Sequence, residues 1–351
     1  MNKNIGIIGR VADGKNIVDG QTVKTRLLRN ELKKKLPDAK IITADLYNYK
    51  KRAIFVFLSV LYCFLKCENI FLLVSINGMK FFFPFIYGIN KIFKRNIIHD
   101  VIGGYLHTHA ENNKKWVKYL NSFGYNLVEL EVMEIRLREL GVKNAYTVPN
   151  FKRLSVVKES DFKNDIELPL RFCTFSRVAK EKGILTAVEV VEKLNKNFGS
   201  IVAELDIFGQ VENNFVEEFN NAMNNFTTAV RYKGIIDYNK STYVLKEYDA
   251  LLFPTTYNGE GFPGTIIDSY ASALPVIASN WKYNSYLIEN ESTGFLYDYS
   301  NTDELYDILL KVVKNPRCLI DMKKNCLKEY DKYNPDVLVN RIINKFLKDI
   351  N

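Results

Sequence analysis

Apolar runs of four to seven residues recur along the chain, separated by longer stretches in which apolar positions return every three or four residues. Ile5-Gly-Ile-Ile-Gly9 predicts a buried first strand. Gln21 to Leu36 predicts an amphipathic helix with lysines in its last turns, where the helix dipole favours cations. Ile41-Ile-Thr43, Asn69-Ile-Phe-Leu-Leu-Val74, Asn96-Ile-Ile-His-Asp-Val-Ile102, Asn126-Leu-Val-Glu-Leu130 and Asn144-Ala-Tyr-Thr-Val148 predict five further strands with helical stretches between them. This order of elements, ending at Pro149, predicts a doubly wound parallel sheet.

A polar, charge-mixed stretch from about Asn150 to Glu167 reads as a linker, after which the alternation restarts. Phe172-Cys-Thr-Phe175, Ala203 to Phe208, Ala229 to Tyr232, Tyr248 to Phe253, Val276-Ile-Ala278 and Gly294 to Tyr297 predict six more strands. Helices follow at about 301–314, 317–331 and 336–349. The predicted domains are 1–150 together with 334–351, and 151–333. Two such domains facing one another would leave a cleft, the usual place for a ligand.

Composition narrows the class. A hydrophobic share of 47% against 25% charged residues describes a folded chain of roughly two domains. The five cysteines are odd in number, without paired metal-ligand spacing, and favour a reducing compartment. The N-terminus runs directly into a strand with no visible signal peptide, so the expected location is cytoplasmic. Residues 1–150 hold 24 Lys+Arg against 12 Asp+Glu, and the remainder 25 against 28. No nucleic-acid motif accompanies this basic half, and nucleic acid is not an expected partner. An anionic membrane face or a phosphate-bearing substrate fits as well.

One stretch of the basic half stands apart. Lys50-Lys51-Arg52 precedes thirteen apolar residues, Ala53 to Leu65, too few to cross a bilayer as a helix. Two readings stay open: a helix buried on most sides, or a helix lying in the interface of an anionic membrane. Phe81-Phe-Phe-Pro-Phe-Ile-Tyr87 would widen the patch in the second reading.

The chemistry gathers in the second domain. Asn258-Gly-Glu260-Gly261-Phe262-Pro263-Gly264-Thr265-Ile-Ile-Asp268 links a predicted strand to a helix, which puts it at the carboxyl edge of a parallel sheet. Its glycines permit close backbone approach, and free helix N–H groups suit phosphate. Glu260 and Asp268 would repel phosphate but suit neutral hydroxyls, so the pair points to a nucleotide sugar. Ser176-Arg177-Val-Ala-Lys180-Glu-Lys182-Gly183 brings three cations to another strand end. That is a combination for a diphosphate, where a solvated charge run is the plain alternative.

Together these motifs resemble the retaining glycosyltransferases of family 4, which have the GT-B fold of two facing Rossmann-like domains with a C-terminal helix crossing back to the first. Glu260, seven residues, Asp268, the small residues Ala271 and Ala273, and Pro275-Val-Ile277 match the family's Glu-x7-Glu signature. Arg177 and Lys182-Gly183 match its Arg-x4-Lys-Gly pattern. Gly209 and Gly234 match two strand-end glycines. The resemblance implies that Arg177 and Lys182 hold the donor diphosphate and stabilise the leaving group, and that Glu260 contacts the transferred sugar. It implies that Asp268 takes the ribose hydroxyls and that the backbone of Gly261, Phe262, Pro263, Gly264 and Thr265 meets phosphate or sugar. Asp268 is one methylene shorter than the usual Glu, which puts direct ribose contact in doubt. In the first domain, Gly20 resembles the glycine loop that approaches the donor, and His99 the histidine near the transferred sugar.

His107 and His109 supply a His-x-His pair, which offers two ligands only, and no metal site is expected; the resemblance likewise implies no cofactor. The expected function is transfer of a sugar from a nucleotide diphosphate to a saccharide or lipid-diphosphate-linked saccharide in bacterial surface polysaccharide assembly, on the inner face of the plasma membrane. Asp19 to Lys24 and Ile102 to Tyr105 carry a weaker likeness to capsule and O-antigen enzymes. The alternatives are a GT-B sugar-nucleotide epimerase and a non-catalytic nucleotide-sugar or saccharide-binding protein.

Overall fold

The computed structural model describes residues 4–348 except 16, 18, 163–164 and 238–239. The chain divides into two compact units, Met1–Phe151 with Asn334–Asn351, and Lys152–Tyr333.

In the first unit, β1 (Ile5–Gly9), β2 (Ile41–Asp45), β3 (Asn69–Leu73), β4 (Asn96–Asp100), β5 (Tyr125–Val128) and β6 (Ala145–Thr147) form a parallel sheet. Its order is β2-β1-β3-β4-β5-β6. β1, β3 and β4 are buried at every position, as befits strands covered by helices on both faces. The last helix, Pro335–Phe346, belongs to this unit: Leu338, Val339, Ile342 and Phe346 share one core with Ile5, Ile7, Leu28 and Phe71. Asparagines at two strand starts hold its end. Asn96 Nδ2 donates to the Phe346 carbonyl at 2.8 Å, and Asn69 Nδ2 to the Lys348 carbonyl at 2.8 Å.

In the second unit, β7 (Leu170–Phe175), β8 (Ala203–Phe208), β9 (Val230–Gly234), β10 (Ala250–Phe253), β11 (Val276–Ser279) and β12 (Gly294–Tyr297) form the other parallel sheet. Its order is β12-β11-β10-β7-β8-β9. The chain runs outward from β7 to β9, returns to β10 beside β7, and continues outward the other way. β7 and β10 therefore flank the point where the strand order reverses, the place where open α/β sheets bind ligands at the strands' carboxyl ends.

All twelve strands expected from the apolar pattern are present. Two readings change. The stretch expected as a linker does not run free: Phe151 is buried in the first core. From Lys152 the chain lies along the second unit, where the Tyr330 hydroxyl donates to the Lys152 carbonyl and the Val157 N–H to the Ala271 carbonyl, both at 3.0 Å.

The helix Ala53–Lys66 is not buried on most sides. Val56, Val60, Cys63 and Phe64 face inward, whereas Ile54, Phe55, Phe57, Leu58 and Leu65 are 46–74% exposed. An almost wholly apolar helix has only one face to lay on the sheet, so the rest stays outside. Phe57 meets Phe85 of the helix Ile76–Phe93 at 5.5 Å between ring centroids, and Phe85 meets the exposed Phe81 at 6.4 Å, so the apolar surface spans two helices. Among the described residues no helix is long and apolar enough to cross a membrane.

Candidate functional site

The loops leaving β7 and β10 are locked together by backbone. Gly183 has φ +67°, and a Cβ there would lie 2.1 Å from the Pro254 carbonyl oxygen. The Thr256 N–H donates to the Glu181 carbonyl at 2.8 Å. Only glycine permits both that conformation and that approach. Gly209, at the end of β8, does the same for the next loop, since a Cβ would fall 1.7 Å from the Ser176 carbonyl oxygen. Arg177 lies in an irregular loop and Lys182 ends a short 3-10 turn, Lys180–Lys182; the helix expected to open there begins only at Ile184.

This geometry brings Lys182 and Glu260 together. Lys182 Nζ donates to Glu260 Oε2 at 2.6 Å with both side chains about 9% exposed, and the Thr255 hydroxyl donates to the same oxygen at 2.9 Å. Removing one member of such a buried pair costs about 3–5 kcal/mol because the other charge stays behind unpaired. Tyr257 supports the cations: Lys182 Nζ lies 4.9 Å and the Arg177 guanidinium 5.4 Å from its ring centroid. Arg177 pairs with Glu212 and is 42% exposed, so that pair is worth only about 0–1 kcal/mol. A cavity of about 400 Å³, lined by Arg177, Gln210, Glu212 and Asn213 among others, opens beside it.

Lys180, expected as a third cation here, turns instead to Glu218, 3.1 Å away on the surface. The sequence reading missed another lysine, one that sits on the Asp268 carboxylate. Lys152 Nζ pairs with Asp268 Oδ2, while the Ser241 hydroxyl donates to Oδ1 at 2.8 Å. Asp268 is fully buried in the helix Gly264–Ala271, so both oxygens expected to receive ribose hydroxyls are engaged within the protein. The turn before that helix is equally packed: Phe262 is buried with its ring on Tyr333 at 5.1 Å, and the Thr265 hydroxyl donates to the Phe175 carbonyl at 2.6 Å. Gly261 and Pro263 are buried, and Gly264 is partly exposed.

Gly20 and His99 belong to the first unit. Gly20 is the first residue of the helix Gly20–Lys35, with open space where a Cβ would project. His99 sits inside the core. Its side chain is fully buried between Phe83 and Phe123, with Nδ1 3.0 Å from Asn126 Oδ1 and, among the described residues, no hydrogen-bond partner at Nε2. Burial lowers its pKa to about 4, with the nearby Lys24 adding to the effect. Neighbouring Asp100 accepts from Lys24 Nζ at 2.8 Å, and Glu129 from the same atom at 2.9 Å. Burial disfavours that ammonium, but the two carboxylates outweigh it and hold Lys24 charged. Of the remaining histidines, His107 meets Arg136 at 3.2 Å and His109 stacks on Trp116.

The matched family model, described as glycosyl transferases group 1, covers residues 156–331. The chain belongs to that family. A UDP-Gal:alpha-D-GlcNAc-diphosphoundecaprenol alpha-1,3-galactosyltransferase of Escherichia coli is 30% identical over 29% of this chain and 28% of its own length. A poly(ribitol-phosphate) alpha-N-acetylglucosaminyltransferase of Staphylococcus aureus (strain COL) is 23% identical over 63% of this chain and 43% of its own length. The chain thus spans well under two thirds of these curated relatives. Among solved structures, Anabaena HepE in complex with UDP-glucose superimposes with a TM-score of 0.74 at 14% identity, over 97% of this chain and 98% of that one. Sucrose-phosphate synthase of Thermosynechococcus elongatus gives 0.74 at 14%, over 97% of each chain. The fold is GT-B.

The buried neutral imidazole makes a testable contribution to stability. The unfolded chain takes up a proton near pH 6.5 and the folded His99 only near pH 4, so stability is lost as pH falls between those values, by about 3 to 3.5 kcal/mol in all. Urea titrations of His99→Gln should lack that part of the acid slope; an unchanged slope would contradict a buried neutral His99.

Proposed function

We propose that this chain is a retaining, nucleotide-sugar-dependent glycosyltransferase of family 4, a hexosyltransferase that extends a lipid-diphosphate-linked saccharide in bacterial surface polysaccharide assembly, such as capsule or O-antigen. The observation that carries the reading is the buried Lys182–Glu260 pair beside Arg177, held at the reversal point of the second sheet. Family membership and the acceptors named for the two relatives support it. The donor's diphosphate lies against Arg177 and Lys182, and Arg177 leaves Glu212 at little cost to reach it. Glu260, fixed by Lys182 and Thr255, orients hydroxyls of the transferred sugar. As the bond from the anomeric carbon to the phosphate oxygen breaks, the acceptor oxygen bonds to the same face of that carbon. Its proton passes to the departing phosphate, whose charge the two cations stabilise. These cations do what a divalent ion does in other transferases, and no metal or further cofactor is required.

The acceptor is membrane-borne in this reading, and the first unit has the surface to meet it. The exposed apolar face of Ala53–Lys66 lies in the bilayer interface, with the exposed Lys50, Lys51 and Arg52 among anionic headgroups. Each such cation is worth about 1 kcal/mol near the surface. The protein is placed on the inner face of the plasma membrane, peripherally bound.

Two experiments test the proposal. Transfer from radiolabelled UDP-glucose, UDP-galactose and UDP-N-acetylglucosamine to bacterial membranes should fall about 100-fold or more in Glu260→Gln, with nucleoside diphosphate affinity kept within a few-fold; full turnover by the variant would contradict the site. Pelleting with phosphatidylglycerol liposomes should weaken as salt rises and be lost in the double variant Ile54→Glu, Phe55→Glu; no pelleting of the wild type at low salt would contradict membrane docking.

A further inference from the structure

Asp268 stands where the resemblance places a ribose-binding carboxylate, yet nothing about its surroundings suits that task. Its side chain is 1% exposed, one oxygen receives the Ser241 hydroxyl and the other the Lys152 ammonium. For ribose hydroxyls to take these places, Lys152 would have to withdraw and leave a buried carboxylate without its counter-charge. Neutral hydroxyls do not replace a cation in that role, so the pair stays intact when a ligand arrives.

The ammonium is the solvent-side member of this pair, with its side chain 15% exposed against 1% for Asp268. It crosses directly over Gly264, where a Cβ would lie 2.9 Å from Lys152 Cε and 3.0 Å from Nζ. Glycine at 264 is thus what lets the lysine reach the carboxylate. The backbone of the same residue is fixed by the Tyr330 hydroxyl, so the side chain springs from an anchored point. An ammonium has three N–H donors, and Asp268 Oδ2 takes one. A group so held can receive an anion without leaving its partner.

Resting on the donor reading above, we propose that Lys152 is a phosphate-binding residue of the donor site, and that Asp268 is its positioning residue and does not hold the ribose. The one-methylene shortening at 268 then has a function. It draws the carboxylate back into the helix and leaves room for a lysine supplied 116 positions earlier in the chain. The ligand class is the diphosphate of a nucleoside diphosphate or its sugar, with Lys152 joining Arg177 and Lys182.

Calorimetric binding of UDP, GDP, ADP and CDP to the full-length wild type identifies the best ligand. That ligand and its 2′-deoxy counterpart are then compared in Lys152→Met, Lys152→Arg and Asp268→Asn, with thermal melts confirming that each variant is folded. Lys152→Met should bind the diphosphate about tenfold or more weakly while Lys152→Arg retains most of the affinity. Asp268→Asn should weaken both ligands alike, so that the penalty for removing the 2′-hydroxyl is unchanged. Undiminished binding by Lys152→Met, or a 2′-hydroxyl penalty that vanishes in Asp268→Asn, would overturn the assignment and leave the donor reading standing. Binding of no nucleoside diphosphate by the wild type would overturn both.

Discussion

The contact on which the carboxyl edge of the second sheet depends is the buried ion pair between Lys182 and Glu260. Taking two charges out of water is expensive, and well-packed apolar residues in their place would often stabilise a fold as much or more. Their value therefore lies in position. The lysine comes from the loop after β7 and the glutamate from the loop after β10, strands that are sequence-distant neighbours at the reversal of the sheet. Gly183 against Pro254 sets the loops at the distance the pair requires, and Thr255 fixes the carboxylate's second contact.

Around this fixed pair the other charges grade by burial, and burial decides which can move. Lys152–Asp268 is nearly as deep as Lys182–Glu260, and both resist separation. Arg177–Glu212 is half exposed and cheap to break. In the proposed donor site the two lysines therefore stay with their carboxylates, and Arg177, whose planar guanidinium is well shaped for phosphate, is the cation that can leave its partner at least cost. The first unit shows the same economy at Lys24, one ammonium balancing two buried carboxylates, Asp100 and Glu129, at the ends of β4 and β5.

The sheets were legible in the sequence because strands covered on both faces, such as β1, β3, β10 and β11, read as largely apolar runs. The residues of the Glu260 turn and the Arg177 loop were legible through their spacing. What the cations would do was not. Lys180 and Lys182 are two positions apart and alike in charge, and only the 3-10 turn with Gly183 decides that one goes inward and the other to Glu218. Lys152 was hidden in a charge-mixed stretch with no local pattern tying it to Asp268. His99 carried a usable signal, since Ile97 and Ile98 before it belong to a strand covered on both faces, and that favours a core histidine. The helix Ala53–Lys66 could not be read at all for burial, because an all-apolar helix has no polar face to mark its outer side.

A structure of the protein with a nucleotide sugar bound tests the account most directly. The account predicts diphosphate oxygens within about 3 Å of the Arg177 guanidinium, with Arg177 released from Glu212 while Lys182 and Glu260 stay in contact. A diphosphate bound away from Arg177, or a Lys182 drawn off Glu260 to reach it, would contradict the account.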